Sequence, residues 1–126
     1  MKVYVASKVK HAELWKRLRK AMCISATWID EAGEGHTADR SELAVRCLRE
    51  VSEASALVLY CQPGDILRGA LLEAGAALAL GIQVYCVGDC ESLSRIFCNH
   101  PLWHSCLSLH DATEFIQNAE SKRVRP

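Results

Sequence analysis

Between residues 56 and 88 the chain passes from an unbroken apolar run, Ala56-Leu57-Val58-Leu59-Tyr60-Cys61, through turn residues into a glycine- and alanine-rich segment. It then enters a second such run, Gln83-Val84-Tyr85-Cys86-Val87-Gly88. A strand that is apolar on both faces has to be covered on both faces, which is the condition of a central strand in a parallel sheet. The segment 69–80 is then a helix that returns the chain to the same edge, and Gly81 suits the left-handed position at which helices stop. This unit predicts a sheet of parallel strands with right-handed crossovers.

The remaining segments extend the pattern. Residues 2–7 form a β-branched and aromatic first strand, and residues 10–22 a helix with Leu14, Trp15, Leu18 and Met22 on one face and basic residues on the other. Residues 24–30 predict a second strand, followed by a polar loop over 31–36. Thr37 or Asp39 caps a helix whose stripe of Leu43, Ala44, Cys47, Leu48 and Val51 is expected to face the core. After residue 88 a short helix over 91–97, a last strand over 106–109 and an amphipathic helix over 111–122 complete the chain. The expected fold is α/β: a flavodoxin- or Rossmann-like, doubly wound parallel sheet of about five strands in a three-layer α/β/α sandwich. A length of 126 residues fits one domain over 1–126.

Composition narrows the partners. Fifteen basic residues balance fifteen acidic ones, so no net field gathers a nucleic acid or an anionic membrane. The longest apolar stretch is interrupted by Glu73, Gly75, Gly81 and Gln83, which predicts no membrane span. Seven cysteines, an odd number lying mostly in apolar segments with no apolar leader after Met1, fit a reducing cytoplasm. No Gly-x-Gly-x-x-Gly follows the first strand and no Walker loop occurs, so no cofactor is expected. Cys98, His100, His104 and Cys106 are donors zinc accepts, but they lack the paired spacing of structural sites, and no metal is expected.

Glu73 stands out chemically, a single carboxylate in an otherwise apolar helix. Burying an ionised carboxylate is costly unless it is paired or faces a wet cavity. Two readings stand on residue type alone: a nucleophile or base held at a cleft, or a carboxylate that caps its helix or pairs with Arg68. In doubly wound sheets ligands bind beyond the carboxyl ends of the strands, so Ser7, Asp30 and the loop 62–69 are expected to line one cleft.

The pattern Gly69-x-x-x-Glu73-x-Gly75-x-Ala77-x-Ala79-x-Gly81, followed directly by a strand, resembles the signature of the nucleoside 2-deoxyribosyltransferase superfamily. Val3-Tyr4-Val5-Ala6 is similar to that family's first strand, and the resemblance covers residues 2–88. It implies that Glu73 attacks the anomeric carbon of a nucleoside or nucleotide, that Tyr4 orients it, and that a glycosyl ester is resolved by water or a second base. It implies a small-molecule nucleoside or nucleotide as partner, and a homo-oligomer. Gly69 would let the backbone approach the ligand and Gly75 would allow close helix packing. Ser7 and Lys8 match the loop with which nucleotide-preferring relatives take a phosphate. Family members often carry aspartates near the positions of Cys47 and Ser55, which this chain lacks. Asp65 is the nearest replacement as acid or sugar ligand, with a plain turn role as its alternative, and Asp30 ranks after it. Glu34 and His36 are further candidates in the polar loop. The loss of the aspartates keeps open a second possibility, a nucleotide-binding or sensing module with reduced catalysis on the same fold.

Overall fold

The computed structural model describes residues 1–32, 39–90 and 95–124. Four parallel strands, β1 (Val3–Ala6), β2 (Ala56–Tyr60), β3 (Gln83–Val87) and β4 (Trp103–Cys106), form one sheet in the order β1-β2-β3-β4. The helices are α1 (Ala12–Met22), α2 (Arg40–Glu53), α3 (Gly69–Ala79) and α4 (Leu109–Val124). Side chains alternate across a strand, so Val3 and Tyr4 report opposite faces of β1. Val3 shares a crevice with Met22 of α1 and Ile116 of α4, while Tyr4 reaches Glu73 of α3, against which α2 packs. The sheet is therefore the middle layer of three, and β1, β2 and β3 are buried along nearly their whole length.

The expected second strand over 24–30 contracts to a single parallel bridge, Val3 with Ile24, so the sheet has four strands rather than about five. Cys23 takes a left-handed conformation (φ 58°), and the Val3 amide and carbonyl bond to Cys23 O and Ser25 N. Beyond that the chain is captured from the side. Glu50 accepts from the Thr27 amide and hydroxyl, and the Trp28 indole donates to Val5 O at 2.9 Å. The residues from Trp28 to Asp30 wind into a 3-10 turn. Ile24 nevertheless lies on the edge of β1 opposite β2, since the Val3 groups it neighbours are those β2 does not use. The order of crossing thus reverses beside β1, which is the switch point of a doubly wound sheet.

Two other boundaries differ from expectation. The last strand lies at Trp103–Cys106, not 106–109, because Ser108 Oγ accepts from the Asp111 amide and starts α4 there, leaving Leu107 95% exposed. Of the expected short helix over 91–97, residues 91–94 lie outside the described residues, and Phe97–Asn99 is a 3-10 turn. Thr37 also lies outside them, whereas Asp39 caps α2 by accepting from the Glu42 amide at 3.0 Å.

The expectations for Gly75 and for the stripe of α2 also need correction. Ala70, Ala74, Ala77 and Leu78 bury one face of α3, but Leu72, Gly75 and Ala79 are exposed on the other. A Cβ on Gly75 would meet nothing within 4 Å, so close helix packing is not its role. In α2 only Val51 of the expected stripe is buried; Leu43, Ala44, Cys47 and Leu48 face an open cleft. Gly88 is the glycine the fold requires: at φ 98° its Cβ would lie 1.9 Å from the Cys61 carbonyl oxygen, where β2 and β3 end together. Among the described residues no helix is long and apolar enough to cross a membrane, and none of the seven cysteines is in a disulfide.

Candidate active site

A cleft of about 510 Å³ opens between the loop after β1, the first turns of α2 and the N-terminal half of α3. Leu43, Ala44, Cys47 and Leu48 form one wall, Ile66, Leu67 and Leu72 face them, and Trp28 closes one side. Glu73 is the one carboxylate among the described residues that line it. This placement follows from helical spacing: Gly69 and Glu73 stand one turn apart on one face of α3.

Glu73 does not pair with Arg68 and does not cap its helix, whose first turn holds no acidic residue. Its Oε2 accepts a hydrogen bond from the Tyr4 hydroxyl, which reaches it from β1. Burial pushes the Glu73 carboxyl up, the Tyr4 hydrogen bond opposes that, and the charge of Glu50 adds to it; the balance is a pKa of about 7. Tyr4 is fully buried, and burial together with the neighbouring carboxylate pushes its phenol far above its ordinary value, so it remains a donor at any physiological pH. The Cys47 thiol neighbours the Tyr4 phenol, and burial raises that thiol too. The result is a thiol, a phenol and a carboxylate in one chain of contacts, with the carboxylate poised at neutrality.

The other sequence candidates divide. Ser7, Lys8 and Gly69 line the cleft. Ser7 Oγ accepts from the Trp15 indole at 2.8 Å and donates to Lys8 O at 2.9 Å, and a Cβ on Gly69 would meet nothing within 4 Å. Asp30 is exposed, is not among the residues lining the cleft and pairs with Arg19 at 2.6 Å. Asp65 also does not line the cleft. Its side chain is fully buried and held by Lys10 Nζ at 2.7 Å, His11 Nε2 at 2.8 Å and the Gln62 amide at 3.0 Å. The Lys10 ammonium holds its carboxyl far below the usual range against the effect of burial, with His11 and the Gln62 amide assisting. An ionised carboxylate only accepts hydrogen bonds, so His11 carries its proton on Nε2. The cluster ties the turn after β1 to the turn after β2, and His11 and Trp15 both meet the Tyr60 ring edge-on. Glu34 and His36 lie outside the described residues.

Trp28, Arg40 and the buried His11 belong to this region without having been singled out from the sequence. Among the described residues no group of three or more His, Cys, Asp or Glu is placed to hold a metal ion. His104 bonds Gln83 and stacks on Tyr85, and His100 Nδ1 accepts from the Leu102 amide.

The fold is of the nucleoside 2-deoxyribosyltransferase type, a parallel α/β sandwich with a cleft at its switch point. It is similar to the 2-deoxyribosyltransferase of Bacillus psychrosaccharolyticus, at 16% identity and a TM-score of 0.65, over 90% of each chain. It is also similar to the CMP N-glycosidase BcmB of Clostridium botulinum, at 15% identity and a TM-score of 0.52, over 95% of this chain and 99% of the other. No protein-family model and no curated protein sequence matches the chain.

Proposed function

We propose that the protein breaks the N-glycosidic bond of a nucleoside or nucleotide, with Glu73 as nucleophile. The observation that carries this is Glu73 itself, a carboxylate with a pKa of about 7 on the wall of an apolar cleft, oriented by the Tyr4 hydroxyl. The two similar structures are a 2-deoxyribosyltransferase and a CMP N-glycosidase, chemistries that share this bond.

In the proposed reaction a Glu73 oxygen attacks the anomeric carbon as the bond to the base nitrogen breaks, and the bonding electrons leave with the base. A water, or a nitrogen of a second base, then attacks the same carbon and frees the carboxylate, so the configuration is retained overall. The apolar walls offer the flat, weakly hydrated base an apolar slot. Tyr4 keeps one carboxylate oxygen engaged and leaves the other for attack. Asp65 belongs to the scaffold here, since its three partners and its depressed pKa leave it no proton to give. A cytoplasmic homo-oligomer completes the proposal, with Leu48 and Leu72 exposed beside the cleft.

A second possibility, a binding or sensing module with reduced turnover, has its own support: Glu73 stands without a second carboxylate among the described residues of the cleft. Incubation with ribo- and deoxyribonucleosides and their monophosphates, following base release by chromatography, separates the two. Release from at least one of them is expected; tight binding with no release from any would favour the module.

Glu73 has to be ionised to attack, so kcat/KM is expected to rise with pH and reach half its plateau near pH 7. Because the Tyr4 bond lowers the Glu73 pKa, Tyr4→Phe is expected to move that midpoint to higher pH and to reduce the plateau about 10- to 100-fold. A pH–rate profile of both proteins checks this, and an unmoved midpoint would deny Tyr4 the role.

A further inference from the structure

Glu50 of α2 is not among the residues lining the cleft, yet it is bound to the segment that forms one side of it. Its carboxylate accepts from the Thr27 amide at 3.0 Å and from the Thr27 hydroxyl at 2.8 Å. Both donors are neutral, so the two bonds fix the charge in place without cancelling it. Thr27 leads directly into Trp28, which closes one side of the cleft and donates its indole N–H to Val5 O at 2.9 Å. Arg46, one turn before Glu50 on α2, donates to the same Thr27 hydroxyl at 2.6 Å and pairs with Glu31 at the far end of the turn. Two side chains of α2 therefore clasp the turn that carries Trp28, while β1 holds the indole.

We propose that Glu50 is a positioning residue of the Glu73 site: through Thr27 it fixes the turn that presents Trp28 to the cleft, and the same bonds anchor its negative charge where Glu73 faces it. This rests on the N-glycosidic function above and adds a residue to it. A fixed negative charge opposes ionisation of a nearby carboxyl, whereas a donated hydrogen bond favours it. Glu73 thus stands between two opposed neighbours from different elements, Tyr4 of β1 lowering its pKa and Glu50 of α2 adding to the upward push of burial. Cys47, which also faces this group from α2, has its thiol raised by burial and brings no charge at neutral pH. On α3 itself Glu73 is the one titratable residue. Lys8, Arg40 and Arg68 line the same cleft, but the environment of Glu73 is set by burial, Tyr4 and Glu50. Because the clasp and the charge come from one side chain, the wall of the cleft and the ionisation of its carboxylate are held together.

The test separates the two connections with Glu50→Gln, which removes the charge and keeps an acceptor for the Thr27 amide, and Glu50→Ala, which removes both. In Glu50→Gln the pH–rate midpoint is expected to fall, so that kcat/KM at pH 5.5, taken relative to its own plateau, rises about threefold, with KM unchanged. Glu50→Ala is expected to show the same shift and, in addition, a KM about 10-fold higher and an exchange of the Trp28 indole N–H about 10-fold faster by NMR. Recovery of KM and indole protection in the glutamine variant then marks the clasp. Carbon-13 NMR of the Glu73 carboxyl and the indole exchange are both read without turnover. If no base is released, glycosidic cleavage fails, and these two measurements decide the role of Glu50 alone. A Glu73 midpoint that Glu50→Gln does not lower, or an indole exchange that Glu50→Ala does not hasten, would overturn the proposal while leaving glycosidic cleavage untouched.

Discussion

Replacing Glu73 with alanine lowers the rate of base release by about 10⁴-fold or more, because the double displacement then has no nucleophile and the reaction falls back on binding and orientation alone. The variant keeps its fold. Glu73 lines the cleft, and its one hydrogen-bonding partner among the described residues, Tyr4, is left facing Cys47 and the cleft. The folded-state pKa of about 7 lies above the ordinary carboxylate value of 4.5, so the native state binds this proton more tightly than the unfolded chain does. The stability that preference contributes is present in full below pH 4.5 and is lost as pH rises through about 7, where the ionised group opposes folding. Glu73→Ala is therefore expected to melt no lower than the wild type at pH 8 while releasing essentially no base. Thermal melts beside the activity assay read both. A group whose removal leaves stability intact and ends turnover is maintained for chemistry, as strained functional sites commonly are.

Asp65→Ala has the opposite signature. Its carboxylate is fully buried against Lys10, His11 and the Gln62 amide, and truncation leaves a buried imidazole N–H and a backbone amide without acceptors. Breaking such a pair by removing one partner costs about 3 kcal/mol. The sign with pH is also opposite to that of Glu73. The folded pKa lies well below 3.8, so the stability Asp65 contributes is present above that value and is lost only as pH falls through the folded pKa. Denaturant unfolding at pH 7 is expected to show the loss. Asp65→Asn, which keeps the shape and one acceptor, is expected to retain catalysis per folded molecule. A large fall in kcat with unchanged stability would instead return Asp65 to the reaction.

The two carboxylates show how far sequence alone reaches. The place of Glu73 at the cleft was legible because a lone carboxylate in an apolar helix has few environments open to it, and the flanking glycines supplied the pattern. The central sheet was legible for a similar reason: strands apolar on both faces admit few environments. Asp65 was misleading because a turn aspartate next to a cleft looks the same whether it points in or folds back under the loop. What decides is the pairing with Lys10 and His11 more than fifty positions earlier, which no local pattern carries. The strand over 24–30 failed likewise, since its β-branched and aromatic residues are drawn off by Glu50 and by the carbonyl of Val5, both remote in sequence. The apolar stripe of α2 was correctly recognised as a face but not as the wall of a cleft, because periodicity reports which side is apolar and not what covers it.

The most direct measurement of the central claim is the mass of the protein during turnover. Acid quenching within the first turnovers, followed by intact mass and peptide mapping, is predicted to show the wild type carrying one glycosyl group as an ester on Glu73, absent from Glu73→Ala. Base release that proceeds undiminished in Glu73→Ala, with no glycosyl group found on the wild type, would contradict it.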